Sequence, residues 1–169
     1  GDNLDGFLES SSDEARQRAG EVLTRSFHEM LYVFRSLHAD PHGGNFLFRS
    51  DGGIGLIDFG CVRHFDAEFV AQYARIGDLA VEADRPGLLE CAEEMGILLP
   101  GSPEADEAFW NFCQAVARPF RFDRYSLGGP DDRLNEDLGP AVRGVLQHSE
   151  IRSVSELVYL HRALGGTYS

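Results

Sequence analysis

The sequence predicts a mainly α fold of the α+β kind: a helical bundle with one small β-hairpin. Three observations predict it. Apolar residues recur at gaps of three and four from Ala15 to Leu37. The period then changes over residues 46–57, where two short apolar runs flank a glycine turn. Capped helical patterns resume at Asp66 and continue to the end of the chain. A length of 169 residues suits one domain, or one lobe of a larger one, and 43% apolar content supplies a core.

The elements follow in order. Residues 1–10 carry Gly1 and Gly6 and little periodicity, and read as a connection. Ser11-Ser12-Asp13-Glu14 reads as a capping box, with the acid three after the serine. It opens a helix of about twenty-five residues, its apolar face made by Ala15, Ala19, Val22, Leu23, Phe27, Met30, Leu31, Phe34 and Leu37. Phe46-Leu47-Phe48 and Ile54-Gly55-Leu56-Ile57 flank Asp51-Gly52-Gly53 and read as a hairpin. Asp66 caps a helix through about Ala83, and Asp84 caps another that ends near Gly96. Ser102-Pro103 is a cap followed by proline at the first helical position. It starts a helix with Phe109, Phe112 and Val116, in which Trp110 is expected in the core. Residues 120–132, with Gly128, Gly129 and Pro130, read as an irregular loop. A helix over residues 133–148 contains Gly139-Pro140. Ser153 and Glu156 form a second capping box for a last helix with Val154, Leu157, Val158 and Leu164 on its apolar side.

Composition excludes several chemistries. A net charge of -13 argues against indiscriminate nucleic-acid binding, because the phosphate backbone would be repelled, and no nucleic-acid partner is expected. No run approaches the ~18 apolar residues of a membrane span, and no signal-peptide pattern opens the chain. All fifteen basic residues are arginine. Without lysine these residues hold no P-loop, no Schiff base and no strand lysine to grip nucleotide phosphates. Cys61, Cys91 and Cys113 match no metal spacing and read as free thiols of a reducing compartment.

The segment that carries chemistry is Leu37-His38-Ala39-Asp40-Pro41-His42-Gly43-Gly44-Asn45, followed by Leu56-Ile57-Asp58-Phe59-Gly60. The midpoint between Asn45 and Asp58 falls between Asp51 and Gly52. A hairpin turning there sets the two opposite each other, within ~5 Å at Cα. An amide oxygen and a carboxylate would then converge as hard ligands for a Mg²⁺ that keeps several waters and also binds phosphates. Asp40 lies on the loop before the hairpin, where Pro41 restricts its backbone and Gly43 and Gly44 let the loop turn back into the strand. Such a carboxylate is placed to orient, or to take the proton from, a nucleophile attacking a γ-phosphate. His-x-Asp-x-x-x-x-Asn followed by Asp-Phe-Gly is the protein-kinase spacing of catalytic loop and metal aspartate.

The wording His38-Ala39-Asp40-Pro41-His42-x-Gly44-Asn45 with Leu56-Ile57-Asp58-Phe59-Gly60 resembles the UbiB/AarF family of atypical kinases. So does Leu157-Val158-Tyr159-Leu160-His161-Arg162-Ala163-Leu164-Gly165-Gly166 near the end of the chain. The resemblance implies a protein-kinase-like C-terminal lobe over residues 1–169, the N-terminal lobe lying outside this chain. It makes Asp40 the catalytic-loop aspartate, and Asn45 and Asp58 the ligands of Mg²⁺ and of ATP bound between the lobes. It implies ATP hydrolysis or phosphotransfer in support of isoprenoid quinone (ubiquinone) biosynthesis. The acceptor would be a lipid or quinone precursor, or water, in a cytoplasmic protein peripheral to a membrane. Gly43 departs from the family, which usually has proline there, and the family's Lys-x-Gly-Gln segment, alanine-rich loop and phosphate lysine have no counterpart here.

Two rival readings accompany this one. Aminoglycoside and choline phosphotransferases share the loop spacing, but their loop more often reads His-Gly-Asp-Leu. A non-catalytic binding module would not need the intact set of Asp40, Asn45 and Asp58. Elsewhere, His38 is expected to pack and bond to backbone, and His42 to stabilise its loop or approach phosphate. Arg118, Arg121 and Arg124, interleaved with Phe120, Phe122 and Tyr125, read either as a basic-aromatic surface or as a solvated loop.

Overall fold

The computed structural model describes residues 1–40, 42–123, 125 and 132–168, with side chains described for all of these except Asn135 and residues 164–168. Expectations placed on Pro41, on Arg124, on the loop with Gly128, Gly129 and Pro130, and on the side chain of Leu164 lie outside the described residues. The described residues are mostly helical, with small antiparallel strand pairs, an arrangement compatible with a kinase-like lobe. The chain divides into two compact units, one of residues 1–70 and 155–169, the other of residues 71–154.

The first unit opens with a helix the sequence reading missed, α1 (Leu4–Ser10), capped by the Asn3 side chain on the Gly6 amide. One apolar residue anchors it: Phe7 is buried and stacks on Phe48 at 5.1 Å between ring centroids. A seven-residue helix with one buried side chain leaves too little periodicity to read. The long helix follows as α2 (Asp13–His28), continued by a π-helical turn over Glu29–Val33. Its cap is Ser12, whose hydroxyl accepts from the Ala15 amide, so the expected Ser11 box is displaced by one residue. Ser11 instead accepts from the Arg16 guanidinium. The stripe also ends sooner than expected. Ala15, Ala19, Phe27 and Leu31 are buried, Phe34 is exposed, and Leu37 belongs to a strand.

The single predicted hairpin becomes two strand pairs. β1 (Ser36–His38) pairs antiparallel with β4 (Val62–His64), and β2 (Phe46–Phe48) pairs antiparallel with β3 (Ile54–Leu56). The outer pair is three residues long, and β4 is exposed throughout, so neither strand shows an alternating pattern. In the inner pair, Arg49 N–H donates to Gly53 C=O, and Gly52 N–H donates to Arg49 C=O. That closes a three-residue loop with Gly52 in the left-handed region at φ 81°. A side chain at Gly52 would also stand 2.6 Å from the Ala15 carbonyl oxygen, because the turn sits against α2. Phe7, Ala15, Ala19 and Phe48 form the core beneath it, with Leu4, Leu23, Phe46 and Ile54 packed around.

α7 (Ser155–Tyr168) returns to this unit from the other end of the chain. It begins two residues after the predicted Ser153 box, and Glu156 accepts from the Ser155 hydroxyl. Its buried stripe is Leu157, Leu160 and Ala163, whereas the predicted Val158 is half exposed.

The second unit takes most of α3 (Ala67–Glu82), then α4 (Arg85–Glu94), α5 (Pro103–Ala117) and α6 (Leu134–Leu146). The caps at Asp84 and Ser102 form as predicted, on the Gly87 and Ala105 amides. Gly96 closes the end of α4 at φ 69°. Pro140 sits inside α6 without ending it. Leu88, Cys91, Ala105 and Phe109 are core residues, and Trp110 beside them is half-buried.

Candidate functional site

Among the described residues, His38 and Asn45 are the two buried polar side chains, 3% and 7% exposed. Both lie in the motif. Burying polar groups is costly unless their bonds are satisfied, and both satisfy theirs by tying the motif together.

His38 ends β1 with both ring nitrogens engaged. Nε2 lies 2.7 Å from the Asp58 carbonyl oxygen, and the Asp40 amide donates to Nδ1 at 3.2 Å. A carbonyl can only accept and an amide N–H can only donate. These partners select the tautomer with the proton on Nε2. This one side chain couples the backbones of the two aspartates. The neighbouring backbone reinforces the link, since the Ala39 amide donates to the Cys61 carbonyl at 2.8 Å. The expected packing and backbone-bonding role of His38 is what the structure shows. An apolar recess of about 220 Å³, lined by Met30, Phe34, Leu56, Phe59 and Val62, borders the ring.

Asn45 closes a 3₁₀ turn over Gly43–Asn45 and leads into β2. Its Nδ2 donates to the Asp40 carbonyl at 2.8 Å, leaving Oδ1 as its acceptor atom. The same carbonyl accepts from the His42 amide. His42 caps the turn, its Nδ1 accepting from the Gly44 amide at 3.1 Å, which is the loop-stabilising role. A Cβ at Gly44 would lie 2.8 Å from the His42 ring, so a side chain there would displace that cap.

Asp58 does not stand opposite Asn45. The partner of Asn45 is Ile57, whose amide donates to the Asn45 carbonyl at 3.0 Å, and Asp58 is one residue further on. The cause is the loop length. A three-residue loop pairs Arg49 with Gly53 and centres the hairpin on Asp51, half a residue before the midpoint the spacing suggested. Asp58 is exposed, and its Oδ1 accepts from the Gly60 amide at 2.7 Å, which leaves Oδ2 facing no protein donor in that turn. Asp40 presents a carboxylate 41% exposed, whose Oδ1 accepts from Arg162 Nη2 at 2.8 Å. Sequence reasoning missed Arg162. Its only signal was membership in the Leu157–Gly166 resemblance.

The free oxygens of Asn45 and Asp58 are hard donors of the kind a small divalent cation takes. No group of three or more histidine, cysteine, aspartate or glutamate side chains able to hold a metal occurs among the described residues.

The model of the ABC1 atypical kinase-like domain matches residues 4–92, which takes in both motifs. The chain belongs to the ABC1 atypical kinase-like family. Relatives extend the likeness of this ABC1 chain over most of its length. It is 26% identical over 164 residues to "Atypical kinase COQ8, mitochondrial" of Saccharomyces cerevisiae, covering 95% of this chain and 33% of that protein. It is 30% identical over 163 residues to "Atypical kinase COQ8B, mitochondrial" of Rattus norvegicus, covering 94% and 30%. It is 26% identical over 136 residues to "AarF domain-containing protein kinase 1" of Mus musculus, covering 78% and 22%. The chain spans about a third or less of the length of these relatives. The names of the yeast and rat proteins place them in mitochondria, which lends no support to the cytoplasmic expectation.

Two arginines of the basic-aromatic stretch are engaged within the second unit, while Phe120 and Phe122 are exposed. Arg118 pairs with Asp137 at 2.5 Å. Arg121 donates to the Ala80 and Val81 carbonyls and to Gln114. These guanidiniums fasten α3, α5 and α6 within the second unit. They border a groove of about 680 Å³ that contains none of Asp40, Asn45 or Asp58.

Proposed function

We propose that the intact protein carrying this chain binds Mg-ATP and acts as an atypical kinase or ATPase of the UbiB/AarF type. The observation that carries the reading is the pair of buried polar side chains, His38 and Asn45, whose hydrogen bonds fix Asp40 and Asp58 relative to each other. These bonds hold the backbones that carry the two carboxylates.

In this reading Asn45 Oδ1 and Asp58 Oδ2 would hold Mg²⁺, which when bound neutralises charge on the phosphates. Asp40 orients the attacking oxygen or accepts its proton. The phosphate-gripping lysine would come from sequence outside these residues, which contain none. The UbiB/AarF resemblance points to a lipid or quinone precursor, or water, as acceptor, and to support of ubiquinone biosynthesis. No helix among the described residues is long and apolar enough to cross a membrane, so membrane contact through this chain's helices would be peripheral.

The test is Asp58→Asn in the intact protein. A ligand is lost and no core residue is touched, so Mg²⁺-dependent ATP hydrolysis should disappear while the thermal midpoint stays put. Turnover near the wild-type rate would show that Asp58 is not a metal ligand. Absence of any Mg-ATP-dependent thermal shift in the wild type would favour a binding module instead.

A further inference from the structure

We infer that Arg162 is a positioning residue for Asp40, so that α7 controls the geometry of the phosphate-transfer site; this rests on the function proposed above. Asp40 and Arg162 are 122 residues apart in sequence, yet Arg162 Nη2 lies 2.8 Å from Asp40 Oδ1. Among the described residues, the other hydrogen bonds of Asp40 are made by its backbone, to His38, His42 and Asn45. Those bonds place its Cα but leave the side chain free to rotate. The guanidinium supplies the missing constraint. It occupies one carboxylate oxygen and leaves Oδ2, which His42 Nε2 approaches only to 4.0 Å, as the oxygen available to a nucleophile.

The helix that carries Arg162 is itself held in register. Leu157, Leu160 and Ala163 are buried. Tyr159 lies under the Arg63 guanidinium at 4.3 Å and receives a hydrogen bond from it on its hydroxyl. Arg63 belongs to β4, the strand paired with the one that ends at His38. The Arg162–Asp40 pair is largely exposed, at 65% and 41% of the two side chains. Exposed ion pairs contribute little to stability. What such a pair does well is choose a rotamer, and a small misplacement of a reacting group is expensive in rate.

The experiment uses the intact protein with Mg-ATP. Arg162→Gln should lower kcat about 10- to 100-fold with KM for ATP nearly unchanged, and Arg162→Lys should recover part of the loss. In an Asp40→Asn background Arg162→Gln should add nothing further, because both changes remove the same oriented carboxylate. Hydrogen exchange of residues 38–45 should speed up in Arg162→Gln while the thermal midpoint holds. Active wild type with kcat unchanged in Arg162→Gln, or equal losses in both backgrounds, overturns the positioning role and leaves the proposed function standing. A wild type without turnover overturns the proposed function, and the positioning role is then decided by the exchange of residues 38–45 alone.

Discussion

Replacing His38 by leucine probes the central link of the site. The substitution keeps an apolar body in the recess and deletes both ring nitrogens. Two backbone groups lose their partners: the Asp58 carbonyl, bonded at 2.7 Å, and the Asp40 amide, bonded at 3.2 Å. An orphaned buried group costs about 1–3 kcal/mol. Both groups here border exposed carboxylates, so water can reach them in part. The longer bond is also the weaker one. The low end of the range applies to each, for a total of about 2 kcal/mol. With a urea dependence of about 1–3 kcal/mol per molar, the denaturation midpoint should fall by roughly 1 M without a change in slope. Nitrogen-15 shifts of the wild-type ring should report a proton on Nε2 at neutral pH. A midpoint that stays within about 0.2 M, or a proton found on Nδ1 instead, would refute the claim that this ring couples the two aspartates.

Gly52→Ala should cost about 2–4 kcal/mol, since alanine meets both a left-handed φ and the Ala15 carbonyl at 2.6 Å; equilibrium unfolding measures it, and a loss under about 1 kcal/mol would mean that α2 yields. The cysteines should separate under alkylation. Burial pushes the Cys113 thiol up to about 12 and raises that of Cys91, whereas Cys61 is exposed. A raised thiol pKa means less thiolate at a given pH, so at pH 8 Cys61 should label first and Cys113 only on unfolding, as peptide mass mapping would show.

What the sequence made legible was whatever depends on local chemistry. The caps at Asp84 and Ser102 formed where a polar side chain precedes a helical run, because the bond they make is three residues long. The turn at Gly52 was readable for the same reason. The register of that turn was not: a two-residue and a three-residue loop share their glycines, and the sequence does not show that the turn sits against α2. The candidate loop residues were singled out by their spacing and wording, yet their coupling through His38 required knowing that Asp58 offers its carbonyl as well as its carboxylate. Strand β4 has no hydrophobic side to betray it. Arg162 is the extreme case, since nothing near either residue in the chain announces that they meet.

The first unit is discontinuous, with residues 71–154 intervening between its two pieces. During synthesis at about 5–20 residues per second, the loop bearing Asp40 leaves the ribosome on the order of ten seconds before α7 exists. For that interval the aspartate has no guanidinium partner, and the apolar bed that receives Leu157 and Leu160 lies open. The nascent chain must wait with an unfinished site, and it would be most vulnerable to proteolysis and chaperone capture in that window.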